Sequence, residues 1–227
     1  MIIPIRSALL AGMMLFLTSC VAFSQRYYSS EPIEAWVVDE QTKKPLEGVI
    51  VVAQWQLVRD TYHNRVPVGT MMILETVTDA KGKFSFPAWG PLENTTDGHL
   101  DHEDPLIYFF KPGYFLSGRS NDYAIPYSDK LSRRKWEWNG QTIALGLFPG
   151  TMEEYALHIS SVSVNLLFPV EYEDRCHFRK TPLLAEAFDR ENSSLEARGY
   201  RKGGFVFARL SPDSTAKCGV TRSSGEK

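Results

Sequence analysis

The sequence has little of what announces a catalyst or a nucleic-acid binder. It contains no Gly-x-Ser-x-Gly elbow, no phosphate-binding glycine loop and no His-Glu-x-x-His pair. The motifs of serine hydrolases, P-loop enzymes and zinc proteases are therefore missing. Its 25 basic and 27 acidic side chains leave a formal charge of −2, and they are scattered apart from Arg133-Arg134-Lys135. A nucleic-acid binder concentrates positive charge on one face, so no nucleic-acid partner is expected. Cysteine is scarce, with three residues in 227. The apolar run near the start, from Ala8 to Leu17, is too short to span a bilayer comfortably. Hydrophobic content is ordinary at 43%, and the length suits one domain, or one domain with an appendage.

The first half of the chain reads as strands. Ile33, Ala35 and Val37 alternate with Glu34, Trp36 and Val38, the two-residue period of a strand whose faces see different surroundings. Asp39 to Leu46 is a polar loop with Thr42, two lysines and Pro45. After Gly48, the run Val49-Ile50-Val51-Val52 is too continuous for a strand wetted on one side, and both of its faces should be buried. Thr76 to Phe86 reads strand, turn, strand, with Asp79, Lys81 and Gly82 in the turn and Phe84 and Phe86 on one face. Lys111-Pro112-Gly113-Tyr114 closes an apolar strand, Leu106 to Phe110, and Thr142 to Leu147 looks like a last strand.

The order Val38-Asp39, Thr42, Pro45-Leu46-Glu47-Gly48-Val49-Ile50-Val51, Thr78-Asp79-Ala80-Lys81-Gly82-Lys83-Phe84 and Lys111-Pro112-Gly113-Tyr114 resembles the carboxypeptidase regulatory-like domain. The resemblance covers about half the chain and implies a transthyretin-like (prealbumin-like) β-sandwich. The sequence departs from the family pattern at an insertion, Gln56 to Met72, and at a long loop, Gly90 to Pro105. The family name invites a peptidase reading. Zinc carboxypeptidases hold their metal with a His-x-x-Glu pair and a distant histidine. None of His63, His99, His102, His158 and His177 has glutamate three residues on, and the catalytic domain itself is absent. No enzyme is expected.

Residues 1–19 read as a lipoprotein signal peptide. Arg6 supplies the positive region, and Leu17-Thr18-Ser19-Cys20 looks like a lipobox. In bacterial lipoproteins such a cysteine is lipidated and becomes the first residue. Val21 in place of aspartate favours, by resemblance, the outer membrane of a diderm bacterium, facing the periplasm. Ordinary secretion with cleavage near Ala22-Phe23-Ser24 is the alternative. With Cys20 assigned to the lipid, Cys176 and Cys218 form an even pair expected to be bridged in an oxidising compartment. A zinc site using His177 is the other possibility.

The loop from Gly90 to Pro105 carries His99, Asp101, His102 and Asp104, residue types that can gather on one cation. A solvated acidic connection is the preferred reading of the same loop, and metal binding the alternative. From Ser117 to Trp138 the chain is rich in aromatics, among them Tyr123, Tyr127, Trp136 and Trp138. These either stack on a sugar or partner or cap the end of the sandwich.

Helical signals follow. Thr151-Met152-Glu153-Glu154 is a capping box leading to Tyr155, Ile159, Val162 and Leu166 at helical spacing. Thr181-Pro182 opens a second helix with Leu184, Phe188, Glu191 and Leu195 on one side, Leu183 and Ala187 widening the face and Gly199 as C-cap. Such helices do not persist alone and should pack on the sandwich or each other. The expected layout is a tether at 20–32, a β-sandwich at 33–148, a helical appendage at 149–200 and a partly disordered tail at 201–227. The fold is mainly β with a helical part.

The expected role is that of a non-catalytic, lipid-anchored envelope protein, without a cofactor, whose sandwich binds a protein or glycan or rigidifies an assembly. The alternative is a small metal-dependent enzyme or metal-binding protein using the His99–Asp104 loop.

Overall fold

The computed structural model describes residues 27–121, 133–167 and 177–200. Strand β1 (Tyr27–Ser30) lies between β6 (Trp89–Glu93) and β10 (Arg133–Arg134), and β2 (Ile33–Asp39) lies between β5 (Lys83–Phe86) and β11 (Thr142–Leu145). A third sheet centres on β3 (Ile50–Asp60). It pairs with β4 (Arg65–Val77) on one side, and with β8 (Leu106–Phe110) and β7 (His99–Leu100) on the other; β9 (Ser117–Arg119) continues beyond β8.

The two-residue period of β2 is realised as expected, with Ile33, Ala35, Val37 and Asp39 buried and the residues between them half-buried. Its inner face meets Val49, Val51, Ala53, Trp55 and Leu57 of the third sheet, with Phe84, Phe86, Phe109, Ile143 and Leu145 completing the core. Phe84 is the hub of its aromatics, edge-on to Phe86 at 5.9 Å and to Phe109 at 5.7 Å. Burying each such side chain stabilises the fold by roughly 1.5–3 kcal/mol.

The outer face of β3 is buried too, which accounts for its unbroken β-branched run. Ile50 and Val52 pack in a second core with Phe110, Leu116 and residues of two helices. Helix α1 (Met152–Leu167) begins at the expected capping box. Thr151 N donates to Glu154 Oε2 at 2.7 Å, and Glu154 N donates to Thr151 Oγ1 at 3.3 Å. Helix α2 (Pro182–Ala197) ends in a Schellman turn, where Tyr200 N donates to the Leu195 carbonyl and Gly199 N, at φ 80°, to that of Glu196. Its buried face is Leu184, Ala185, Ala187, Phe188 and Leu195, with Leu183 exposed. The sequence pattern leaves Ala185 off that face and wrongly places Leu183 on it. The Phe188 ring lies 4.4 Å from that of Phe110, so the helices share a core with the sheet. The side chains of Val162 and Leu166 lie outside the described residues.

Two expected boundaries change. Residues 20–32 are not a tether throughout, because Tyr28 and Ser30 of β1 are buried between neighbouring strands. Gly90 to Pro105 is not a continuous loop, because it contains most of β6 and all of β7. Each short strand gains its structure from a partner distant in sequence.

Candidate functional site

The two departures from the family pattern meet in space. Gln56 to Met72 is the far half of a β3–β4 hairpin, with Asp60 opposite Arg65 and a tight turn between them. In that turn Thr61 Oγ1 donates to the Asn64 carbonyl at 2.6 Å and accepts from Asn64 N at 3.1 Å. Tyr62 stands at the tip, 96% exposed, with the His63 ring edge-on at 4.7 Å. Beside the hairpin, His99 and Leu100 pair with Val58 and Leu57.

The connection before β7 holds itself together. Asn94 Nδ2 donates to the Gly98 carbonyl at 2.6 Å, and Thr96 N donates to Asn94 Oδ1 at 3.0 Å. Gly98 is needed there, since a Cβ would fall 2.4 Å from Val68 Cγ2. Ion pairs then tie this stretch to the hairpin, Arg59 to Asp97 at 2.6 Å and Arg65 to Asp101 at 2.5 Å, and His99 Nε2 lies 3.7 Å from Asp60 Oδ2. The result is a braced platform with an excess of carboxylates and an aromatic tip.

His99, Asp101, His102 and Asp104, the alternative cation site, are not gathered on one point. Arg65 Nη1 lies 2.5 Å from both Asp101 Oδ1 and His102 Nδ1, so its guanidinium stands where a bound cation would be. His99 turns to Asp60. Asp104 is buried, and its Oδ2 accepts from Gln56 N at 2.9 Å. Among the described residues no group of three or more His, Cys, Asp or Glu side chains is arranged to hold a metal ion. Cys20, Cys176 and Cys218 lie outside the described residues, as do Tyr123 and Tyr127.

Behind the platform is a buried polar cluster that the sequence reading missed. Burial pushes the Asp104 carboxyl well above the usual range, against the hydrogen bond from Gln56. Burial, with Asp104 adding, also pushes the Tyr108 hydroxyl up to about 12. Asn121 donates to the carbonyls of Asp104 and Lys135 and accepts from Glu137 N at 3.0 Å, fastening one connection to the next. Arg134 Nη2 donates to the Leu100 carbonyl at 3.0 Å, and burial lowers the guanidinium pKa. Trp136 is buried, and Trp138 donates to the Ser120 carbonyl at 3.2 Å beneath Arg119. Trp136 belongs to the main core and Trp138 packs against it. Only the adjacency of Arg133-Arg134-Lys135 hinted at this cluster, and it gave no sign that the middle residue turns inward.

The residues of the family pattern are joints of the scaffold. Asp39 Oδ1 accepts from Thr42 N at 2.7 Å and Gln41 N at 3.1 Å, while Oδ2 accepts from the Tyr114 hydroxyl at 3.0 Å. The Thr42 hydrogen bonds, foremost its backbone N–H, lower the Asp39 pKa. Thr78 Oγ1 donates to the Leu46 carbonyl at 2.6 Å and accepts from Val49 N at 2.9 Å. Asp79 Oδ1 accepts from Lys81 N and Lys83 N, both at 2.8 Å. Those side chains are occupied in closing turns and joining strands at the Val49 end of β3, while the platform lies at the Asp60 end.

No protein-family model matches the chain, and no curated protein matches its sequence. Among solved structures it is similar to part of 3-chlorocatechol 1,2-dioxygenase from Rhodococcus opacus, at 16% identity and a TM-score of 0.32 over 55% of this chain and 62% of that one. It is also similar to part of a streptococcal ancillary pilin, at 13% identity and a TM-score of 0.24 over 55% of this chain and 30% of that one. A third similarity is to a Cyanothece 9R-lipoxygenase, at 13% identity and a TM-score of 0.25 over 72% of this chain and 26% of that one. The chain spans less than two thirds of each, and at these scores none bears on activity.

Proposed function

We propose that this chain is a non-catalytic envelope lipoprotein of the carboxypeptidase regulatory-like kind, whose β-sandwich presents the hairpin platform to a protein or glycan partner. One observation carries the reading: the two stretches outside the family pattern are braced against each other, with Tyr62 96% exposed at their tip. A rigid scaffold with variable connections is how many binding proteins place their contacts. Aromatics at an exposed tip suit stacking on a sugar or packing into a protein groove.

The lipid anchor on Cys20 would hold the platform near the outer membrane, with residues 20–26 as the link to β1. The pairing of Cys176 with Cys218 would fit the same oxidising compartment. Fatty-acid labelling of wild type and of Cys20→Ala tests the anchor: label on the first and none on the second is expected, and an unlipidated wild type refutes it.

The platform is tested with a photo-crosslinking residue at Tyr62 in intact envelopes, alongside glycan binding by the purified chain. The Tyr62→Ala/His63→Ala variant should fold as wild type and lose the partner. Partner binding unchanged in that variant would place the contact elsewhere.

A further inference from the structure

Inside the sandwich, among the described residues, four hydrogen-bond donors have no acceptor. They are the indole N–H groups of Trp55, Trp89 and Trp136 and the Nε–H of Arg134. These residues are 0%, 9%, 4% and 7% exposed. A buried donor left unpaired is destabilising. These four groups can only donate, and besides the Ser117 hydroxyl opposite Phe109 the sandwich has no described orphan that can accept; what would satisfy them is an electron-rich acceptor.

The strand register places two of the four on one face. Ser30 pairs with Arg134 on one side and with Trp89 on the other, so the two side chains lie on one face, flanking Ser30. With strands spaced about 4.8 Å apart, their backbones are roughly 10 Å apart. Trp55 reaches the same region from the facing sheet, its ring edge-on to Trp89 at 5.3 Å. Arg134 crosses towards that sheet as well. Its Nη2 meets the carbonyl of Leu100, which is paired with Leu57, two residues along from Trp55.

The charge balance points the same way. Asp104 and Asp101 are the described carboxylates whose fields reach Arg134, with the Tyr28 hydroxyl as a further neighbour. Asp101 is turned to Arg65. Asp104 accepts from Gln56 N, and its burial favours the uncharged form. Arg134 thus brings its guanidinium into a site nearly closed to bulk water.

We propose that this end of the sandwich binds one small monovalent anion of the halide type, held by Arg134 Nε–H and the indole N–H groups of Trp89 and Trp55. The seclusion of all three donors limits the occupant to a monatomic ion. Neutral indole donors solvate a halide without adding charge, and Arg134 neutralises it.

Thermal unfolding of the full chain tests this, with sodium chloride replacing sodium gluconate at constant ionic strength. A ligand that binds only the folded state raises Tm saturably, here by about 2–4 °C for a change near 1 kcal/mol in a chain of this size. Trp89→Phe keeps the ring and removes the N–H, so its chloride response should shrink while its fold persists. Arg134→Gln should abolish the response; if that variant fails to fold, Trp89→Phe still decides. Bromide-soaked crystals should show a single anomalous peak between Trp89, Trp55 and Arg134. Water alone at that position, or a chloride response in Trp89→Phe equal to wild type, overturns the proposal.

Discussion

Glu75 of strand β4 caps helix α2: its Oε1 accepts from Leu183 N at 2.8 Å and its Oε2 from Leu184 N at 3.2 Å. The ordinary N-cap residue, Thr181, makes no side-chain cap, and its buried hydroxyl has no partner among the described residues. A sheet carboxylate thus performs the capping task and meets the positive end of the helix dipole. Burial raises the Glu75 pKa while the two backbone N–H groups oppose the shift.

Removing that carboxylate exposes the arrangement. Glu75→Ala should cost about 1 kcal/mol, as loss of a cap typically does, and Glu75→Gln less, since the amide oxygen still accepts one bond. Urea unfolding measures both. A single transition followed by sheet and helix signals together is expected, because Phe188 and Phe110 share a core.

Asp39 makes stability depend on acidity. Its folded pKa is lowered, first by the Thr42 hydrogen bonds and further by Tyr114. The stabilisation is complete above the unfolded-state value and is lost as pH falls through the folded one. Asp39→Asn should therefore melt below wild type at pH 7, with the gap closing in strong acid. Tyr114→Phe should show a smaller loss at pH 7.

Asp104 acts with the opposite sign. Burial raises its folded pKa, so above that value the ionised carboxylate destabilises the fold, and protonation relieves the cost as pH falls towards the unfolded value. Asp104→Asn retains an acceptor for Gln56 N and removes the charge. It should melt above wild type at alkaline pH and match it near pH 3, a comparison that one series of thermal melts provides.

Gly82 carries the turn between β4 and β5 at φ 70°, and a Cβ there would stand 2.2 Å from the Val37 carbonyl oxygen. The backbone strain alone costs on the order of 1–3 kcal/mol, and relieving the clash would pull β2 away from Gly82, whose carbonyl accepts from Val37 N at 2.7 Å. Gly82→Ala should lose more stability than Gly113→Ala, where φ is a similar 81° and an added Cβ would meet no described atom within 4 Å. Paired denaturation curves distinguish the two.

What the sequence determined by itself is local. The alternation of Ile33, Ala35 and Val37, the capping box at Thr151 and Glu154, Pro182 at a helix start and Gly199 at its end act through neighbours a few residues away. Their physics is contained in the stretch that carries them. The doubly buried run after Gly48 was legible for the same reason, since its composition reports the need for cover without saying what covers it.

Only the tertiary structure decided the rest. Arg65 stands between Asp101 and His102 across 36 residues, Gln56 reaches Asp104 across 48, and Glu75 meets Leu183 across 108. A cluster of histidines and carboxylates close in sequence suggests a shared cation. Once β7 pairs with β3, His99 turns to Asp60, Asp101 and His102 share Arg65, and Asp104 is buried against Gln56. Arg134 reads as one of three adjacent surface bases, but its pairing with Ser30 turns it inward. Long-range pairing sets which face a residue presents, and that orientation fixed both the platform and the donor cluster behind it.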